Sequence, residues 1–229
     1  MFEKLITVPH KPERLSALFW ELQEIAGEAV VPENASSDAL ARKDLMWVVV
    51  RYEVNLLRQP MPGEELRLTT WASSFRHRMS QRNYLAYDKN RNYVLQGAGI
   101  WAIVHFVTRE MVSPERYGIQ FQGETTGFEP NRPAPPVRCP LQHSTSFLVT
   151  DEVLDRNVHM NNTKYFDVVQ ACSEKESSGL PLKSVRAVFA DEARKDDLLT
   201  IQWGRTGNSF YFLGEKETGS CFQIGLEYA

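Results

Sequence analysis

The residues best suited to chemistry lie in one stretch, Asp155-Arg156-Asn157-Val158-His159-Met160-Asn161-Asn162-Thr163-Lys164-Tyr165. Polar side chains alternate there with Val158 and Met160. In an extended segment this alternation sends Asp155, Asn157 and His159 to one side, so that a carboxylate, an amide and an imidazole converge. Such a trio can polarise a carbonyl and manage a proton. Asn161 or Asn162 can cap a following helix, whose free first-turn N–H groups suit a developing oxyanion. Taken singly, each residue reads as ordinary loop and cap chemistry; their joint spacing points to a site. The three cysteines, Cys139, Cys172 and Cys221, are odd in number and form no C-x-x-C, so neither a disulfide framework nor a zinc site is indicated. Buried or inert thiols are expected, and no metal or organic cofactor is needed.

These residues need a scaffold. With 229 residues, 42% of them hydrophobic, the chain can bury a sizeable core without staples, which excludes wholesale disorder. The N-terminus lacks an apolar leader, and no apolar run approaches the ~18 residues of a membrane span, so a soluble, cytoplasmic protein is expected. A net charge of -3 without a long Lys/Arg block argues against nucleic acid as the main partner.

Apolar residues recur at helical spacing from Glu13 to Val30 behind Pro12, and a polar loop follows over Pro32–Arg42. Strand patterns run over Leu45–Leu57, Glu65–Ser74, Met79–Asp88 and Tyr93–Val107, joined by short turns that imply an antiparallel sheet. Between Thr108 and Cys139 periodicity collapses and prolines accumulate, as in an extended connector. A short strand at Thr145–Thr150 and a helix from about Asn161 to Ser177 come next, with Tyr165, Phe166, Val169 and Cys172 on one face. Strands return at Ser184–Asp191, Leu198–Arg205, Ser209–Glu215 and Cys221–Tyr228. Both halves run helix then meander, and Leu66–Trp71 resembles Leu198–Trp203, as an internal duplication would leave. The expected fold is α+β, a double (tandem) hotdog in which each half is a long helix wrapped by a curled antiparallel β-sheet. Its expected divisions are residues 1–112, a Pro-rich linker 113–140, and residues 141–229.

D-x-N-x-H-x-N-N-x-x-Y ahead of a helix closely resembles the signature of the plant and bacterial acyl-ACP thioesterases, in their C-terminal hotdog half. The Trp47 strand running to Arg51-Tyr52, the Thr70-Trp71 pair and the Ala98-Gly99-Ile100-Trp101 strand are similar to that family's N-terminal half. The resemblance implies a downstream glutamate, and Glu192 stands in the matching place within Phe189-Ala190-Asp191-Glu192-Ala193-Arg194. Ala193 replaces the cysteine that many members carry, so a thiolate nucleophile is not available and hydrolysis by activated water is implied. The implied catalytic set is Asp155, Asn157, His159 and Glu192. Glu192, in a pocket that raises its pKa, or neutral His159 would be the general base, Asn157 would hold the water or the carbonyl oxygen, and Asp155 would orient the others. Asp191 would face away from Glu192 on a strand. His10, His77, His105 and His143 are expected to be structural or exposed.

The implied substrate is a fatty acyl chain on the phosphopantetheine arm of acyl carrier protein. The aromatic-rich N-terminal half would bind the chain while the C-terminal half reacts, but Trp20, Trp47, Trp71 and Trp101 taken singly read as core packing and none is assigned to an acyl site. Two basic groups, Arg76/Arg78/Arg82 and Arg156/Lys164/Arg194/Lys195, are candidates for steering the acidic carrier. Hydrolysis of acyl-CoA or another acyl thioester, and a non-catalytic acyl-binding sensor, are the alternatives. A hotdog dehydratase fits less well, because its usual His and acidic pair is unlike this arrangement. Either a monomer or a homodimer is compatible with two hotdogs in one chain.

Overall fold

In the computed structural model, residues 1–8, 14–121, 123, 130–177 and 179–229 are described. The elements follow the hydrophobic pattern closely. β1 spans Phe2–Thr7, α1 Leu15–Ala29, α2 Ser37–Ala41, β2 Leu45–Leu56, β3 Glu65–Ala72, β4 Met79–Tyr87 and β5 Tyr93–His105. After the connector come β6 (His143–Leu148), α3 (Asn162–Ser177), β7 (Leu182–Phe189), β8 (Leu198–Thr206), β9 (Ser209–Lys216) and β10 (Gly219–Tyr228). The Pro12-Glu13 helix start, His10, and part of the connector lie outside the described residues.

The chain groups into two compact units, one of Met1–His10 and Glu21–Pro133, the other of Lys11–Trp20 and Ala134–Ala229. In the first unit the strands run β1-β3-β4-β5-β2, each pair antiparallel. Leu22 and Ile25 of α1 are fully buried, at the three-residue step of an amphipathic helix. A second cluster gathers Val30, Ala35, Leu40, Leu45, Ile103 and Ile119. The connector straps this unit, its Pro130 and Pro133 carbonyls accepting from Gln81 Nε2 and Arg51 Nη1, each at 3.0 Å.

In the second unit the order is β7-β10-β9-β8-β6, again antiparallel. This repeats the first unit's topology strand for strand, with Trp71 on β3 and Trp203 on the corresponding β8. The apolar face of α3 places Tyr165 4.9 Å from the Phe222 ring and stacks Phe166 on Phe19 at 3.7 Å between centroids. Gly214 of β9 makes room for Phe222: a Cβ there would sit 2.0 Å from the ring edge. Small side chains are therefore required opposite the aromatic layer that carries α3.

Three expectations need correction. β1 and α2 fall where only loop or terminus was expected; β1 pairs in register with β3 and α2 starts on a Ser36 cap that accepts from Ala39 N. On α3 the buried face continues through Ser173 and Ser177, leaving Cys172 half-buried. Ser173 rather than Cys172 lies four residues beyond Val169, one full turn along the same face.

Candidate active site

The segment holding Asp155, Asn157 and His159 is not extended. Leu154 and Met160 pair as an isolated bridge, Asp155 N–H donates to the His159 carbonyl at 2.9 Å, and Val158 N–H donates to the Asp155 carbonyl at 3.0 Å. The chain reverses between those contacts, with Val158 at φ +62°. The cause is local: the Asp155 carboxylate accepts the Asn157 backbone N–H at 2.7 Å, an Asx-turn that competes successfully with strand geometry.

The turn nonetheless brings the three side chains together. Asn157 Nδ2 lies 3.4 Å from Asp155 Oδ2, and His159 Nδ1 lies 3.7 Å from the same oxygen. His159 Nδ1 is also 3.2 Å from the Met160 carbonyl. Both neighbours of Nδ1 are acceptors, so in the neutral ring the hydrogen belongs on Nδ1 and the lone pair on Nε2. His159 is only 8% exposed, which limits the water that can compete for that lone pair.

Asn161 is the cap of α3. Its Oδ1 accepts from Thr163 N–H at 2.9 Å and from Thr163 Oγ1 at 2.8 Å, leaving Asn162 as the first helical residue. The helix start is thereby fixed directly after the turn.

Glu192 lies beyond the end of β7, so the strand argument separating it from Asp191 does not apply; burial separates them instead. The Glu192 side chain is 16% exposed and that of Asp191 49%. Glu192 is joined to the His159 segment through backbone: Met160 N–H donates to the Ala193 carbonyl at 2.7 Å, and His159 pairs with Arg194 as an isolated bridge. The fully buried Ala193 has its own N–H satisfied by the Tyr165 hydroxyl at 3.2 Å. Burial pushes the Tyr165 hydroxyl pKa well up, keeping that oxygen neutral. The Glu192 carboxylate is held by Arg194, whose Nε and Nη2 both reach Oε1, at 3.0 and 2.5 Å. Arg194 thus places a guanidinium directly against the Glu192 carboxylate, a polar neighbour beside a side chain that is largely covered.

The basic groups divide. Arg82 does not belong to a surface patch: it is buried on β4, donating to Thr70 Oγ1 at 3.3 Å, whereas Arg76 and Arg78 are exposed. In the second group, Lys164 pairs with Asp167, Arg194 with Glu192 and Lys195 with Asp151. His77 and His143 are exposed and His105 half-buried. Trp20 is largely exposed, whereas Trp71 is buried. Burial raises the thiol pKa of all three cysteines. Among the described residues no cluster of three His, Cys, Asp or Glu could hold a metal ion, and no helix is long and apolar enough to cross a membrane.

Two five-stranded antiparallel arrays of one topology, with the helices α1 and α3, define a tandem hotdog fold, and a carboxylate-amide-imidazole turn stands at the start of α3. Residues 10–116 match the model of the acyl-ACP thioesterase N-terminal domain. A palmitoyl-acyl carrier protein thioesterase of Arabidopsis thaliana is 24% identical over 188 residues, 75% of this chain and 44% of that protein. An acyl-[acyl-carrier-protein] hydrolase of Cuphea viscosissima is 26% identical over 159 residues, 63% of this chain and 39% of its own. The chain thus spans less than half the length of these curated relatives. In structure, a 12:0-ACP thioesterase of Umbellularia californica superposes with a TM-score of 0.81 at 16% identity, over 100% of this chain and 96% of the other. An acyl-ACP thioesterase of Bacteroides thetaiotaomicron gives 0.80 at 16% identity, over 100% and 97%. The chain is thus similar in sequence to acyl-ACP thioesterases, over residues 10–116 for the family model, and it shares the fold of the two solved structures.

Proposed function

We propose that the protein is an acyl-[acyl carrier protein] thioesterase that hydrolyses the fatty acyl thioester to free fatty acid and so terminates fatty acid synthesis. The observation that carries this reading is the Asp155 turn, which gathers Asn157 and His159, leaves the His159 Nε2 lone pair available, and is tied by backbone pairing to Ala193 and Arg194 beside Glu192. Acyl-carrier names of the sequence relatives agree with it.

In this mechanism His159 Nε2 takes a proton from water as the oxygen bonds to the thioester carbon. Negative charge moves to the carbonyl oxygen, which receives an N–H of Asn157; Nδ2 has two hydrogens, and Asp155 engages one. Asp155 orients Asn157 and His159 and stabilises the imidazolium. The tetrahedral adduct collapses with cleavage of C–S, and His159 returns the proton to the departing sulfur. Glu192, held by Arg194, orients the water and offsets the imidazolium charge. The N-terminal hotdog, residues 1–112, would hold the acyl chain, residues 113–140 would link, and residues 141–229 would carry the chemistry. Three unpaired cysteines suit a reducing cytoplasm.

The test is release of free fatty acid from medium- and long-chain acyl-ACPs by wild type, His159→Ala and Glu192→Ala. Removing a base or a charge-orienting group typically slows such chemistry ~10²–10⁴-fold. Turnover by wild type with both variants folded and slower by two orders of magnitude supports the assignment. Variants as fast as wild type would sink it, and activity on acyl-CoA alone would overturn the carrier.

A further inference from the structure

Glu192 is held by more than Arg194. Every backbone polar group from Glu192 N–H to Arg194 N–H has a partner: Glu192 N–H donates to Asp191 Oδ1 at 2.8 Å, and Arg194 N–H to Asp197 Oδ2 at 2.8 Å. Ala193 is bonded on both sides, as described above. The remaining group, the Glu192 carbonyl, accepts from Lys216 Nζ at 2.6 Å.

Lys216 closes β9, within the charged run Glu215-Lys216-Glu217, and such runs are ordinarily solvated. Its side chain is instead 14% exposed. The ammonium lies 3.0 Å from Asp191 Oδ2 and 3.8 Å from Asp197 Oδ2, so one cation joins both ends of the 191–197 loop while bonding the Glu192 peptide between them. Burial alone would lower the pKa of this ammonium, but the two carboxylates outweigh burial and raise it, so Lys216 stays charged. A second tether comes from the same sheet: Ala190 and Asp191 N–H both donate to the Cys221 carbonyl of β10, at 2.8 and 3.3 Å. The base of the loop is therefore anchored to β10, and at its apex Lys216 adds a side-chain bond from β9 to the Glu192 carbonyl, beside the backbone bond from Met160 N–H to the Ala193 carbonyl.

We infer that Lys216 is a positioning residue for hydrolysis, fixing the Glu192 peptide from beneath so that the Glu192 carboxylate is presented at the His159 turn. The inference rests on the thioesterase reading of Glu192. Lys216 touches no reacting atom; it acts through the carbonyl of the residue that does. An error of about 1 Å in such a group costs on the order of 10²-fold in rate.

The test measures kcat and KM on one acyl-ACP for wild type, Lys216→Met, Lys216→Arg, Glu192→Gln and the double variant Lys216→Met/Glu192→Gln, with thermal melts alongside. Expected are a fall in kcat of about 10- to 100-fold for Lys216→Met with KM changed less than about threefold. Lys216→Arg should recover at least part of that loss, because a cation remains within reach of the Glu192 carbonyl. The double variant should be no slower than Glu192→Gln alone, since two residues acting through one group are not additive. Multiplicative loss in the double variant, or a Lys216→Met enzyme as fast as wild type beside a slow Glu192→Gln, overturns the inference and leaves the Glu192 role standing. Glu192→Gln at wild-type speed overturns the Glu192 role itself, and the inference falls with it.

Discussion

Val158 offers a test of how the site turn is held. A β-branched residue at φ +62° is strained, because Cβ crowds the carbonyl in the left-handed region, at a cost of about 1–2 kcal/mol. Asn tolerates that region, since its short polar side chain bonds locally. The Val158 side chain is 65% exposed, so Val158→Asn gives up only about a third of a valine's burial, roughly 0.5–1 kcal/mol. With β-branching placing the strain at the upper end, the net gain is about 1 kcal/mol. For a chain of this length that raises Tm by about 2–4 °C. The assay is urea unfolding and a thermal melt of wild type, Val158→Asn and Val158→Thr. Thr keeps the β-branch, so it should gain nothing. If Asn is no more stable than wild type, the turn is not strained at Val158 and the Asx-turn alone accounts for it. If Thr gains as much as Asn, polarity rather than φ is responsible.

Tyr165→Phe keeps the ring beside Phe222 but leaves the buried Ala193 N–H without its acceptor, so denaturation should show a loss of about 1–3 kcal/mol, with slower turnover because Glu192 is the next residue. Burial pushes the Cys221 thiol up to about 11, so a disulfide reagent at pH 8 should leave it unmodified in the native protein and label it only on unfolding. Glu64 bonds Arg58, which also reaches Asp88 at 3.3 Å, and the guanidinium holds the Glu64 carboxyl below its ordinary value. The stability from that depressed pKa is present above the unfolded value and disappears as pH falls through the folded one. Glu64→Gln should therefore melt below wild type at pH 7, with the gap closing below about pH 4.

The sequence disclosed elements whose burial follows from their own pattern. β2 to β5 and β7 to β10 carry apolar runs or alternation long enough to be read without knowing their neighbours. β1 escaped because Lys4 occupies an inward-leaning position; its stem is half-buried and its ammonium reaches Glu28 at 2.6 Å, a contact no window of six residues reveals. α2 has five residues, too few for a helical period, and rests on the Ser36 cap. Arg82 looked like surface charge beside Arg76 and Arg78, yet it sits on a strand whose faces are both largely covered.

The site shows the same division at smaller scale. Asp155, Asn157 and His159 were legible as residue types at a spacing, but the reason they meet was not. Alternation would place them on one side of a strand; the structure places them around a turn, and Val158 is among the residues least suggestive of one. Convergence survives the change of geometry because all three contacts are made by Asp155, whose carboxylate needs only short reaches to Asn157 and His159 in either arrangement. Glu192 lies 33 positions downstream and Lys216 a further 24, and their partnership rests on backbone carbonyls, which no motif encodes. The sequence signature thus records the proposed catalytic groups, while the bonds that hold them are spread over β9, β10 and the Tyr165 hydroxyl. Substitutions there are expected to change kcat without altering the signature at all.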